Sequence, residues 1–307
     1  MRVAILTGEP NGWHSRQLKR ALRKRGIDAR AVSLNACRVD LAGGCQGVVI
    51  PGFEERLPDG ALVRGVAGGS LEQVTLRLDF LHWLRELGIP VYNEARAIEK
   101  TVDKAMTSLI LRRAGVPTPP TWVCESQADA RAVLLRETAA GHELVAKPLF
   151  GSQGVGLRRL SAGMDVPPPE ECGGLWYLQR YIESSPDGNG GWRDWRVLVV
   201  GGSAVAAMVR YGRSWINNVA QGARCESAPL TEHLQRLAEQ SVAAIGMDYA
   251  GVDLMADREG NLQVLEVNGI PAWTGLQKVT EAGIADIVVN DFVTRRLARP
   301  LEAVCRT

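Results

Sequence analysis

Glu266 and Asn268 stand two residues apart in the apolar run Val264-Leu265-Glu266-Val267-Asn268. On a strand, residues two apart point to one face, so this run sets a carboxylate beside a carboxamide. Asp253, between Val252 and Leu254, sits in a second apolar run on the other side of the turn at Glu259-Gly260. Pairing across that hairpin brings Asp253 close to Glu266 and Asn268. Carboxylate and carboxamide oxygens are hard ligands, suited to a magnesium ion that also holds substrate phosphates. A metal-free pair of carboxylates doing acid–base work and a plain exposed polar face are the competing readings.

Lys147 raises a similar question. It follows Leu144-Val145-Ala146 and precedes the glycine-rich stretch Gly151-Ser152-Gln153-Gly154-Val155-Gly156. An ammonium among apolar side chains is costly unless an anion meets it. A glycine-rich turn exposes backbone N–H groups that hold phosphate oxygens. Lysine and turn together read as a polyphosphate grip; an edge-strand lysine beside an ordinary hairpin is the alternative. The glycines lead into a strand rather than a helix, and no Gly-Lys-Ser/Thr occurs, so neither a dinucleotide fingerprint nor a P-loop is present. Asp194, Arg196 and Arg210 bracket another hairpin, turning at Gly201-Gly202, and Asn217-Asn218 follows it. Each of these alone reads as solvated charge or an ordinary turn.

Several function classes fall away. The four histidines (14, 82, 142, 233) share no metal spacing, the six cysteines form no C-x-x-C, and no G-x-S-x-G occurs. That argues against a zinc site, a disulfide framework and a serine hydrolase. A net charge of +2 provides no field for nucleic acid or for an acidic carrier protein. The N-terminal apolar run is too short for a signal peptide, and no 18-residue apolar span exists. A cytoplasmic setting with reduced thiols is expected.

The scaffold expected to position these groups begins with strands at 3–7, 27–32, 45–50 and 89–92, interleaved with helices at about 14–25 and 71–87. This alternation predicts a parallel sheet with covered faces. Ligands bind at the C-terminal ends of such strands, so Asn11 and His14, in the 8–14 loop, are candidate substrate contacts; a plain connection is the alternative. A second unit runs through a helix at 99–114, a strand at 121–124, a helix at 127–140 and strands at 142–149, 155–160 and 175–183. Hairpins at 195–209 and 251–267 flank a helix at 230–245, and a last helix covers roughly 283–297.

Taken together, T-V-D-K (101–104), V-A-K-P-L-F-G-S-Q-G-V-G (145–156), L-Q-R-Y-I (178–182), D-W-R (194–196), Arg210, Asn217-Asn218, G-V-D (251–253) and E-V-N (266–268) occur in a characteristic order. The set resembles the ATP-grasp ligases, most closely their RimK-like branch, in the style of the tetrahydromethanopterin:L-glutamate ligases. The resemblance spans nearly the whole chain. It implies an α/β (α+β ATP-grasp) fold with a parallel-sheet pre-ATP-grasp domain at 1–93, a central lobe with a glycine-rich lid loop at 94–177, and a C-terminal lobe with the magnesium site at 178–307. It further implies that ATP is held by Lys104, Lys147, Ser152, Gln153, Gly154, Gln179, Arg180, Tyr181, Ile182, Asp194, Asn217 and Asn218. Magnesium or manganese, as two ions, would sit on Asp253, Glu266 and Asn268. Lys147 and Arg210 would be catalytic, and Arg196 and Arg210 would meet substrate.

The implied chemistry is attack of a substrate carboxylate on the γ-phosphate, giving an acyl phosphate that an amine then displaces. Such transfer relies on positioning and charge neutralisation rather than on protein nucleophiles. Two stretches depart from the ligases that modify a ribosomal protein: Asn268-Gly269-Ile270-Pro271 stands for N-A-S-P, and Ile216 for an arginine. Trp273 would stack on a flat ring such as a pterin, or else lie in the core. The acceptor expected is therefore a small pterin-type precursor bearing a carboxylate, with L-glutamate as the amine. A ribosomal-protein C-terminus and a lysine-biosynthesis substrate are the alternatives. A second copy of the chain is a further expected partner; nucleic acid and membrane are not. From other classes, a non-catalytic ATP-binding regulator and an α/β oxidoreductase compete with the ligase.

Overall fold

The structure, a computed structural model, describes residues 1–151, 154–183, 192–217 and 222–298. The first lobe contains β1 (Arg2–Leu6), α1 (Trp13–Arg23), β2 (Asp28–Val32), β3 (Arg38–Val39), β4 (Val48–Val49), β5 (Gly60–Val63), α2 (Leu71–Glu86) and β6 (Val91–Tyr92). Helix α1 buries Ser15, Leu18, Ala21 and Leu22, the three-and-four spacing of a helix packed on one face. Gly26, at φ +70°, ends the turn that follows.

The parallel sheet is present, in the order β2-β1-β5-β6. One of its strands differs from expectation. The 45–50 run does not join it: Val48–Val49 pairs antiparallel with Arg38–Val39 in a separate hairpin. The central place belongs to β5, whose four residues are all buried. Asp59 and Gly60 give this stretch the composition of a turn, and four residues are too few to show a strand period.

The helix expected at 99–114 is two helices, α3 (Ala95–Val102) and α4 (Lys104–Arg113). Asp103 breaks it. Its side chain accepts from the backbone N–H groups of Ala105 and Met106, at 2.8 and 3.0 Å, which caps a new helix. Lys104 thereby becomes the first residue of α4.

The central lobe comprises β7 (Thr121–Cys124), α5 (Gln127–Ala139), β8 (Leu144–Lys147), β9 (Arg158–Leu160), α6 (Pro169–Cys172) and β10 (Trp176–Arg180). Its antiparallel sheet runs β7-β10-β8-β9. Ala130, Leu134, Leu144, Trp176 and Leu178 form a core of its own, separate from the rest.

The last lobe is a five-stranded antiparallel sheet, β13-β12-β11-β14-β15. It is made by β11 (Trp192–Val200), β12 (Ser203–Gly212), β13 (Arg224–Ala228), β14 (Tyr249–Ala256) and β15 (Leu262–Asn268), with α7 (Glu232–Ile245) packed on it. Strand β13 was not expected from the sequence. After α8 (Thr274–Gln277), α9 (Ile284–Phe292) packs against α1, where Lys24 pairs with Asp286 at 2.9 Å. The first and last lobes share their cores: one cluster joins Leu6 and Val63 to Val197 and Val267. Among the described residues no helix is long and apolar enough to cross a membrane.

Candidate active site

One face of the five-stranded sheet carries the charges. Asp194 on β11 stands opposite Arg210 on β12, Arg196 on β11 opposite Asp253 on β14, and Asp253 opposite Glu266 on β15. Two-residue periodicity places Asp194 and Arg196 on the same face. The β14–β15 register slips beside Asp253: Leu254 pairs with Val264, leaving Leu265 as the extra residue of a bulge. A bulge re-aims side chains, and here both Leu265 and Glu266 line the cleft.

The charges interlock. Arg196 donates from Nε and Nη2 to the two Asp253 oxygens, both at 2.6 Å. Arg210 donates from Nε to Asp194 Oδ1 at 2.5 Å, and its Nη2 lies 3.2 Å from Asp253 Oδ2. Asn268 Nδ2 reaches the same Asp253 oxygen at 3.4 Å. Asp194, Arg210 and Asp253 are buried. Burial pushes the Asp194 carboxyl up, with Arg210 only partly offsetting it. Burial also acts on Asp253, but Arg196 and Arg210 outweigh it and hold that carboxyl below the usual range. Glu266 is raised by burial and by the like charge of Asp253 across the ladder.

These donors fit a hard cation. Two carboxylates face each other, and a divalent ion would relieve the repulsion that raises Glu266. Among the described residues no three His, Cys, Asp or Glu side chains form a metal cluster. A third protein ligand would therefore be the Asn268 carboxamide, turned to present its oxygen.

Lys147 approaches from the central lobe, and Lys104 from the start of α4, which packs on α7 and β15. Lys147 Nζ donates to Gln179 Oε1 at 2.6 Å. Burial brings its ammonium down to about 8, against the pull of Glu266 and with Lys104 adding repulsion. Lys104 Nζ donates to the carbonyls of Leu149 and Gly151, at 3.3 and 2.8 Å, and so holds the base of the glycine loop. A second recess brings together Lys104, Lys147, Gly154 and Glu266. Gln179 is oriented from behind. Its Nε2 donates to the Tyr177 hydroxyl at 3.3 Å, which meets Ser108 Oγ at 2.8 Å, and Ser108 donates to the Lys104 carbonyl at 2.8 Å.

The main cleft, with about 920 Å³ of space open to solvent, joins the two lobes. Lys147, Gly154, Gln179, Arg180, Tyr181 and Ile182 line one side; Asp194, Arg196, Arg210, Asn217, Asp253, Glu266 and Asn268 line the other. Asn217 donates from Nδ2 to the Arg210 carbonyl at 2.7 Å, while its buried Oδ1 has no partner among the described residues. Val145, Trp215, Met255 and Leu265 supply apolar walls suited to a flat base, and residue-by-residue reading missed them. Two of them carried a signal: Val145 lies two before Lys147 and Met255 two after Asp253, on the same strand faces.

Three expected contacts are corrected. Trp273 is 1% exposed, with Arg64 over its ring at 4.8 Å and His14 against its edge, so its face is not offered to a ligand. His14 is occupied too: its Nε2 accepts from the Trp273 backbone N–H at 3.1 Å. Asn11 is exposed, does not line the cleft, and its carbonyl accepts from Arg16. Arg180, expected to act through its backbone, lines the cleft while its side chain turns to Glu137 at 2.6 Å. Ser152, Gln153 and Asn218 lie outside the described residues.

Comparison with known proteins agrees with this architecture. Residues 1–98 match the RimK PreATP-grasp domain, and residues 101–291 match the RimK-like ATP-grasp domain. The chain is 36% identical over 225 residues to the tetrahydromethanopterin:alpha-L-glutamate ligase of Methanocaldococcus jannaschii, covering 71% of this chain and 74% of that one. It is 29% identical over 303 residues to the enzyme of the same name from Methanococcus maripaludis, covering 95% and 97%. Among solved structures, the ATP-grasp ligase PsnB, complexed with a phosphomimetic variant of its minimal precursor, Mg and ADP, superposes with a TM-score of 0.70. That match covers 97% of this chain and 98% of the other at 20% identity, and is a likeness of fold.

Proposed function

Because the chain belongs to the RimK-like ATP-grasp family, we propose that it is an ATP-dependent ligase that adds L-glutamate to a small tetrahydropterin-type acceptor through an acyl phosphate. The observation that carries the ligase reading is the single charged face of the last sheet, with Arg210, Asp194, Arg196, Asp253 and Glu266 in register, opposed by Lys147 across the cleft.

Each side chain has work suited to its place. Lys147 and Lys104 meet the phosphates from the glycine-loop side. Arg210, fixed by Asp194, stabilises charge on the transferring phosphoryl group. Arg196 orients the substrate carboxylate whose oxygen attacks that phosphorus, while ADP leaves. The glutamate amine then attacks the acyl carbon, phosphate departs, and an amide remains. Asp253, Glu266 and Asn268 would hold magnesium, which supplies charge neutralisation at the phosphates. Closure of the glycine loop would keep water from the acyl phosphate.

With Trp273 in the core, the choice of acceptor rests on relatives. The two ligases compared above are named for tetrahydromethanopterin. The test is phosphate release from ATP that requires both L-glutamate and tetrahydromethanopterin, with a product heavier by one glutamyl residue in mass spectrometry. Phosphate release with no such product would remove this acceptor. Nucleotide binding without turnover on any candidate acceptor would favour the regulatory reading.

A further inference from the structure

Arg64 follows β5 at the C-terminal edge of the parallel sheet, where ligands of such sheets bind. Its cation lies over the Trp273 ring at 4.8 Å but meets no carboxylate there. Among the described residues it forms no ion pair; one Nη1 hydrogen bond reaches the Ile270 carbonyl at 3.4 Å, and Nε is buried without a partner. Burial weighs against its charge, while Tyr249 and, less, Glu9 favour it. A guanidinium that is half-buried, with its Nε closed off from water and no carboxylate beside it, costs stability unless a ligand supplies the anion.

Its position connects it to the chemistry. Ile270 lies two residues past Asn268. The next residue, Pro271, is on the Arg196 side: a Cβ added to Gly251 would touch Pro271 Cβ at 3.0 Å and Arg196 Cδ at 3.7 Å. The segment 269–271 thus runs between Arg196 and Arg64. It is rigidly held, since Asn93 donates to the Gly269 carbonyl at 2.8 Å and His14 accepts from Trp273. The glycine-rich loop after Arg64 is fixed by Arg77, which donates to the carbonyls of Ala67 and Gly68 at 2.7 and 2.8 Å.

We infer that Arg64 binds a substrate carboxylate that does not react, while Arg196 faces the one that does. This rests on the ligase function proposed above. Both the glutamate and the acceptor of such a ligase carry carboxylates, so the shared chemistry is an organic carboxylate held by a fork of guanidinium donors.

The experiment is calorimetric titration of L-glutamate and, separately, of tetrahydromethanopterin into protein loaded with magnesium and a non-hydrolysable ATP analogue. Arg64→Gln should weaken one of the two by roughly tenfold or more. Arg64→Lys should recover part of that loss, with affinity for the nucleotide analogue unchanged in both. The ligand that weakens identifies whose carboxylate is held. Should Arg64→Gln unfold, Arg64→Met keeps the aliphatic stem against Trp273 and serves in its place. Equal behaviour of wild type and variant toward both ligands, including binding of neither, would overturn the assignment. If wild type binds the ligands yet releases no phosphate, the ligase reading fails while the effect of Arg64→Gln on binding is still read.

Discussion

Arg196 and Asp253 face each other across β11 and β14 and close a forked ion pair, with both contacts at 2.6 Å. The same carboxylate touches Arg210 at 3.2 Å. A cation arriving at Asp253 must therefore share it with two guanidiniums. Breaking a buried pair by removing one partner costs ~3–5 kcal/mol. With Arg210 still in place, Arg196→Ala should fall near the lower end, about 3 kcal/mol, in urea unfolding. Added magnesium should return part of that loss, because it restores positive charge beside Asp253. A loss that magnesium leaves untouched would count against Asp253 as a ligand.

Lys147 gives two opposite pH dependences. Its ammonium is brought to about 8 by burial. The wild-type kcat/KM for ATP should fall as pH rises through about 8, since the neutral amine offers no charge to phosphate. Stability should move the other way. The unfolded chain binds this proton up to about 10.4, so it carries more protons than the folded state between about 8 and 10.4, and stability rises with pH across that window. The burial cost is present in full below about 8. Lys147→Ala should raise the KM for ATP at least roughly tenfold and flatten both profiles. An unchanged pH profile of kcat/KM in the variant would assign the titration to another group.

The legible parts of the molecule were those set by short-range pattern. Glu266 and Asn268 share a face because strand geometry alternates, and the Glu259-Gly260 turn fixes their partner, so the acidic site could be read from spacing. Asp103 was legible in principle as a helix cap, but its place inside a continuous helical pattern hid the break it makes before Lys104. Strand β5 is buried by tertiary packing around four residues, and nothing local marks it. Arg64 and Trp273 meet only because segments more than two hundred residues apart converge, as the Arg64–Ile270 hydrogen bond shows. The bulge at Leu265 likewise depends on a register that only the paired strand reveals.

Trp273 now carries a structural prediction. The ring is buried among Tyr249, Leu276 and Phe292 in the core that joins the first and last lobes. Trp273→Ala should cost about 3–5 kcal/mol in urea unfolding, while Trp273→Phe, which keeps an aromatic face under Arg64, should leave the acceptor KM of the folded fraction unchanged. Near-wild-type stability together with a raised acceptor KM would return the ring to the substrate site.

His14 ties the first lobe to the segment after β15. Its Nε2 accepts from the Trp273 N–H, which requires the neutral ring. Burial, with Arg64 adding repulsion, brings its proton affinity from 6.5 down to about 3. Between those values the unfolded chain holds a proton that the folded state does not, so stability is complete above about 6.5 and declines as pH falls toward 3. His14→Gln keeps an acceptor for the Trp273 N–H and does not titrate. Its melting temperature should therefore fall less steeply than that of the wild type between about pH 7 and pH 4, the range over which His14 gains its proton in the unfolded chain. Parallel slopes in the two proteins would mean that the ring is already protonated in the native state, and that the contact with Trp273 is not the one that holds the lobes together.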